Sequence, residues 1–182
     1  MTQAPHQDRK LLEDMPKDRL IDLFLLHIRN LWRVDGLYFL GIEKKFGTTA
    51  AAEIDAECWQ LMGKFEAREL KKALGIEGDS IASLMYGLQN TSWSLDQRDK
   101  ETEVTATKGV YRVTQCRTQL TRINKKLGEF PCKNVRLGYL KSFTKEFNSN
   151  IEVKATICPP GRHPPDVWCE WEFTLKSKEP TG

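Results

Sequence analysis

The chain has 182 residues with 28 basic and 25 acidic side chains, a formal net charge of +3. These charges are spread along the whole sequence, which leaves no concentrated field for polyanions and argues against direct nucleic-acid binding. No apolar run reaches membrane-spanning length, and the amino end, MTQAPHQDRKLLEDMP, has neither the apolar core nor the cleavage site of a secretory signal, so a cytoplasmic protein without a membrane partner is expected.

Residues 1–15 are polar and are expected to be loose. Pro16 and Asp18 suit a helix start, after which Leu20, Leu23, Phe24, Ile28, Leu31 and Trp32 recur at helical spacing up to Phe46. Gly47 stops that helix. Thr48 or Thr49 can cap the next, where Ala52, Ile54, Trp59, Leu61, Met62, Phe65, Leu70 and Leu74 support a long helix ending at Gly75. A shorter helix capped by Asp79 or Ser80 follows, with Ile81, Leu84, Met85 and Leu88 facing inward.

Near Asn90 the texture changes. TSWSLD and TEVTATKGVYRVTQC alternate in character and are rich in Thr and Val, which predicts strands over 92–116 turning at Lys108 and Gly109. RTQLTRINKKLG and the stretch from Cys132 to Phe147 read as two short helices. NIEVKATIC and WCEWEFTLK read as strands joined by the stiff loop PPGRHPPD. The expectation is one α+β domain, a helical half over 16–90 packed on an α/β half over 91–182, with an antiparallel sheet and two further short helices.

The five cysteines carry the chemistry of the second half. A reducing compartment makes disulfides a poor reading, so clustered cysteines suggest metal or thiol chemistry. Antiparallel pairing brings Cys158, at the end of one strand, to the same rim as Cys169, at the start of the next. Cys116 ends an earlier strand, and Cys132 starts a helix, where amide groups favour a thiolate. Four thiolates make a closed tetrahedral zinc site, its residual charge offset by Arg112, Arg117, Lys133 or Arg162. His163, in the intervening loop, is an alternative ligand. An iron–sulfur cluster would also use four cysteines, but its close spacings are missing. Cys58, alone beside Trp59, reads as a packing residue, and His27 as a helix residue with a local hydrogen bond.

The segment from Cys132 to Phe173, VRLGYLKSFTKEFNSNIEVKATIC followed by WCEWEF, resembles the end of the 4-vinyl reductase-type small-molecule-sensing domain. That resemblance implies zinc beside a ligand pocket, with Cys132, Cys158 and Cys169 matching the order and approximate spacing of the family's cysteines. Where those sensors use a glutamate before the second cysteine this chain has Ala155, so the fourth position falls to Cys116. The run LWRVDGLYFLGIEKKFG is similar to relatives of the L-2-amino-thiazoline-4-carboxylic acid hydrolases.

Two functions follow. In the first, the protein binds or senses a small apolar or aromatic molecule in a pocket between the helical half and the sheet, lined by Trp32, Arg33, Asp35, Tyr38, Phe39 and Trp171. The competing reading of Arg33 and Asp35 is that they pair with Glu57 or Arg68 while the aromatics simply pack. The second function is a hydrolase with Cys132 as nucleophile or zinc with an open position. No DNA-reading helix-turn-helix or output domain is recognisable in the sequence, so a sensor is expected to signal through a partner or a homodimer.

Overall fold

The computed structural model describes residues 6–176. Its helical half consists of α1 (His6–Glu13) and α2 (Lys17–Leu74), followed by α3 (Ile81–Gln89) and α4 (Ser92–Asp96). The remaining elements are β1 (Asp99–Val104), β2 (Lys108–Gln115), α5 (Arg117–Asn124), α6 (Cys132–Lys145), β3 (Ile151–Ile157) and β4 (Cys169–Leu175). The architecture is α+β, as the sequence leads one to expect. The polar start is not wholly loose, since residues 6–13 are helical; residues 1–5 lie outside the described range.

α2 is interrupted at Gly47, whose φ of 85° and ψ of 165° belong to a backbone region essentially reserved for glycine. The chain folds back there, so residues 17–46 and 48–74 form two antiparallel arms. Trp32 of the first arm stacks on Trp59 of the second, and Trp59 Nε1 donates to Asp35 Oδ1 at 3.0 Å. Gly75, at φ 63°, ends the second arm in the left-handed conformation that closes many helices.

The four strands are all antiparallel in the order β1-β2-β4-β3. Strand alternation sorts the two faces. Tyr111, Val113, Cys169, Trp171, Phe173, Ile151 and Val153 point inward and are buried, joining Leu84, Met85, Leu88, Tyr139, Leu140 and Phe143 in the core. On the opposite face Arg112 bonds to Glu101 and Glu170 across three strands. The second arm lies along α6, and Gly63 makes the approach possible: a Cβ there would sit 2.5 Å from the Tyr139 carbonyl oxygen.

Two strand expectations need correction. Ser92–Asp96 is helical because the Thr91 hydroxyl accepts from the Ser94 amide and caps a turn. The β1–β2 turn lies at Thr105–Thr107, with Thr105 N donating to Lys108 O at 2.8 Å. Gly109 instead stands inside β2, where the missing side chain admits the Met85 thioether; a Cβ would lie 2.8 Å from its sulfur.

Candidate functional site

Sheet order brings the cysteine-bearing ends together. β2 and β4 pair with Val113 opposite Cys169, and β3 ends beside the start of β4, so Cys116, Cys158 and Cys169 share one rim. The fourth cysteine is delivered by a bracing loop. Gln119 is almost fully buried and exchanges hydrogen bonds with the Phe130 backbone, its Nε2 donating to the carbonyl at 3.0 Å and its Oε1 accepting from the amide at 2.8 Å. α6 then starts at Cys132, and the next amide, Lys133 N, donates to Pro159 O at 3.1 Å, which ties the proline loop to the helix start.

The thiols differ in character. Cys158 and Cys169 are buried, while Cys116 and Cys132 are half-buried and open onto a cavity. Cys132 is held below the ordinary thiol range, first by a hydrogen bond from the Cys158 thiol and further by the Arg136 guanidinium. Cys158 is driven up, chiefly because it supplies that hydrogen bond. Burial pushes Cys116 up to about 12, and burial with the neighbouring Cys132 and Cys116 raises Cys169. The four sulfurs therefore form an interacting group in which the Cys132 thiol is the one held down, although no group of three or more His, Cys, Asp or Glu among the described residues sits at metal-ligand spacing. In donor type the group suits zinc; as placed, it would have to contract to hold it.

His163 is engaged elsewhere. Its Nδ1 meets Pro164 O at 2.8 Å and its Nε2 meets Glu129 at 3.2 Å, with the ring against Trp168. The exposed Cys58 does not pack as expected, and His27 lies exposed on the first arm.

The cavity above the cysteine rim has a volume of about 560 Å³ and runs between the two arms, α5 and α6. Of the residues expected to line a pocket, Trp32, Arg33, Asp35 and Phe39 do so. Tyr38 does not: it is 72% exposed and lines a separate groove near the helical turn. Trp171 is fully buried in the sheet and does not reach the cavity, because its inward face is covered by the helices. The pocket thus lies between helices rather than against the sheet itself. Asp35 takes neither Glu57 nor Arg68 as partner; it accepts from Trp59, and Arg68 bonds to Glu146. Arg33 bonds within its own helix, to Asn30.

Residues not singled out from sequence complete the site. Asp55 faces Asp35 across the arms, and burial together with that neighbouring charge pushes its carboxyl up to about 7. Trp93 and Phe130 supply apolar wall. Arg136 is 4% exposed and lies one helical turn beyond Cys132, with its guanidinium among Trp32, Trp59, Trp93 and Tyr139. Its position four residues after Cys132 on a helix was the available signal. Also on the cavity wall, Asp96 pairs with Arg29 at 2.5 Å and with Arg117 at 3.8 Å. Arg122 makes a two-pronged bond to Glu43, both contacts at 2.9 Å.

Residues 13–175 match the model of a family of unknown function, DUF6125, and the chain belongs to that family. No curated protein sequence matches it. A solved structure of trafficking protein particle complex subunit 3 from Naegleria fowleri, covalently bound to palmitic acid, is similar with a TM-score of 0.55 and 12% identity. The alignment covers 84% of this chain and 96% of that one, a likeness of fold. No helix among the described residues is long and apolar enough to cross a membrane.

Proposed function

We propose that this protein binds a small apolar or aromatic molecule, in the manner of a sensor module, in the cavity between the arms of α2 and the helices α5 and α6. The observation that carries this reading is the cavity itself: about 560 Å³, within the range of small-molecule sites, with aromatic walls and a few buried charged groups. The resemblance to 4-vinyl reductase-type sensors supports it. Titration with a panel of small aromatic and aliphatic compounds, read by the fluorescence of Trp32, Trp59 and Trp93, tests it. Saturable quenching that Phe39→Ala weakens is the expected result; no response to any compound would end the reading.

Zinc held by Cys116, Cys132, Cys158 and Cys169 belongs to the same proposal and rests on the chemistry of four thiols gathered at one rim. Bound there, zinc would fix the strand ends to the start of α6. Elemental analysis of protein purified without added metal is the test. About one zinc per chain is expected, lost in Cys158→Ser and Cys169→Ser but retained in Cys58→Ser. An unchanged metal content in the Cys169 variant would exclude this site.

A second reading, cysteine-dependent chemistry, is favoured by the thiolate character of Cys132 where it opens onto the cavity. The fold neighbour carries palmitic acid covalently. Intact mass of the purified protein separates the readings: a hydroxylamine-sensitive acyl mass located at Cys132 would favour the second.

A further inference from the structure

Arg136 is a guanidinium in an unusual place. Its guanidinium carbon lies 4.6 Å from the centre of the Trp93 ring, 4.8 Å from Tyr139 and 5.5 Å from both Trp32 and Trp59. Aromatic faces attract a cation but do not replace the hydrogen bonds it loses on leaving water. Neither Nε nor Nη1 of Arg136 has a hydrogen-bond partner among the described residues. A guanidinium carries five N–H donors and keeps its charge at any physiological pH, so burial leaves that donor capacity unspent. The side chain lines the cavity, and a group entering from solvent can therefore complete its shell.

The rest of the cavity says what kind of group. Arg29 and Arg117 are answered by Asp96, and Arg122 by Glu43. Arg33, Arg98 and Lys125 line the same space without an ion pair among the described residues. Against them stand the Cys132 thiol, which faces Arg136, and the carboxyls of Asp35 and Asp55. Burial raises both carboxyls, that of Asp55 to about 7. The cavity thus combines excess positive charge with apolar walls from Phe39, Trp93 and Phe130.

We propose that the ligand is an apolar organic acid, its carboxylate received by the unpartnered N–H groups of Arg136 and its body lying against the aromatic walls. This rests on the reading of the cavity as a ligand site and adds the chemical class. A planar carboxylate suits a planar guanidinium set among rings, and the bond gains strength where water is excluded. Arg33, Arg98 and Lys125, which line the cavity without an ion pair among the described residues, draw the anion inward.

The test compares 2-naphthoate and decanoate with 2-naphthamide and decanamide, matched in shape but uncharged, by tryptophan quenching and calorimetry on the full chain. Each acid is expected to bind at least tenfold more tightly than its amide. In Arg136→Gln that preference should collapse to within about twofold, with amide affinity unchanged, while Lys154→Gln on the outer sheet face should retain it. Should Arg136→Gln fail to fold, the wild-type comparison alone decides. Equal binding of acid and amide would overturn the acid proposal and leave the ligand cavity standing. Binding of none of the four would overturn both. An acid preference that survives in a folded Arg136→Gln protein would remove Arg136 as its receptor.

Discussion

The indole rings of Trp32 and Trp59 lie 4.6 Å apart and 3° from parallel, although almost thirty residues of helical chain separate them. The contact exists because the chain reverses at Gly47, in a conformation that a side chain would strain. Gly47→Ala is therefore expected to cost about 1–3 kcal/mol, measured as a lowered urea midpoint. Gly41→Ala, on an open stretch of ordinary helix, is expected to be neutral or to stabilise by up to about 1 kcal/mol. Equal effects of the two would mean that the reversal does not depend on the glycine.

Gly63 is the second glycine with a structural role. The Cβ of alanine would meet the Tyr139 carbonyl oxygen at 2.5 Å, a backbone atom that cannot swing aside. Gly63→Ala should push α6 from the second arm and cost about 1–3 kcal/mol. It should also loosen Tyr139 from Glu66, whose carboxylate accepts from that phenol at 2.7 Å and from the Ser92 amide at 2.8 Å. Near-ultraviolet circular dichroism of the aromatic cluster and thermal unfolding check both effects.

The buried pair of Arg122 and Glu43 fastens α5 to the first arm, and Arg122 also donates to the carbonyls of Leu127 and Gly128. Removing one partner strands the other. Arg122→Met is expected to cost about 3–5 kcal/mol, and the double variant with Glu43→Met less than the two single costs added together. A double-mutant cycle with no coupling would show that the pair does not act as a unit.

Asp55 makes stability depend on pH. Its carboxyl is held at about 7 in the folded chain, above its ordinary value of 3.8, so the folded state binds the proton more tightly than the unfolded one. This contribution to stability is present below the unfolded value and is lost as pH rises towards 7, after which the loss is constant. Asp55→Asn should stabilise the protein at pH 8 by roughly 1–3 kcal/mol, allowing for its partial exposure. It should also flatten the fall in stability between pH 4 and 7. An unchanged pH profile in chemical denaturation would refute this.

Thiol reactivity should follow placement. In metal-free protein at pH 7.5, iodoacetamide should modify exposed Cys58 and Cys132, whose thiol is held below its ordinary range, sparing buried Cys158 and Cys169. Peptide mass mapping over a time course reads the order. Faster labelling of Cys169 than of Cys132 would contradict the arrangement of the rim.

Much of this arrangement is visible in residue order alone, because it depends on local periodicity and on where elements end. The break at Gly47, the cap at Ser80 and the strands around Cys158 and Cys169 are of that kind. Ser92–Asp96 misleads because Ser, Trp, Ser and Leu alternate like a strand while Thr91 caps a helix. Tyr38 and Trp171 mislead for another reason. Their helix or strand is predicted correctly, but which face meets the cavity depends on how the arms fold back. Apart from the spacing of Arg136 from Cys132, Arg136 and Asp55 are hidden for the same cause: a charge on an amphipathic helix reads as solvated surface until the packing of the other helices is known.

The order β1-β2-β4-β3 has a kinetic consequence. Each outer pair is a local hairpin, but β2 and β4 meet across more than fifty residues of intervening chain. The sheet therefore completes only when one long loop closes, after α5 and α6 have found their places, and that step should limit the folding rate. The cysteine rim stands at the end of this seam, with Cys116 just beyond β2 and Cys169 opening β4. Any bond or ion joining those two sulfurs early would shorten the loop to be closed and turn the slow encounter into a local one.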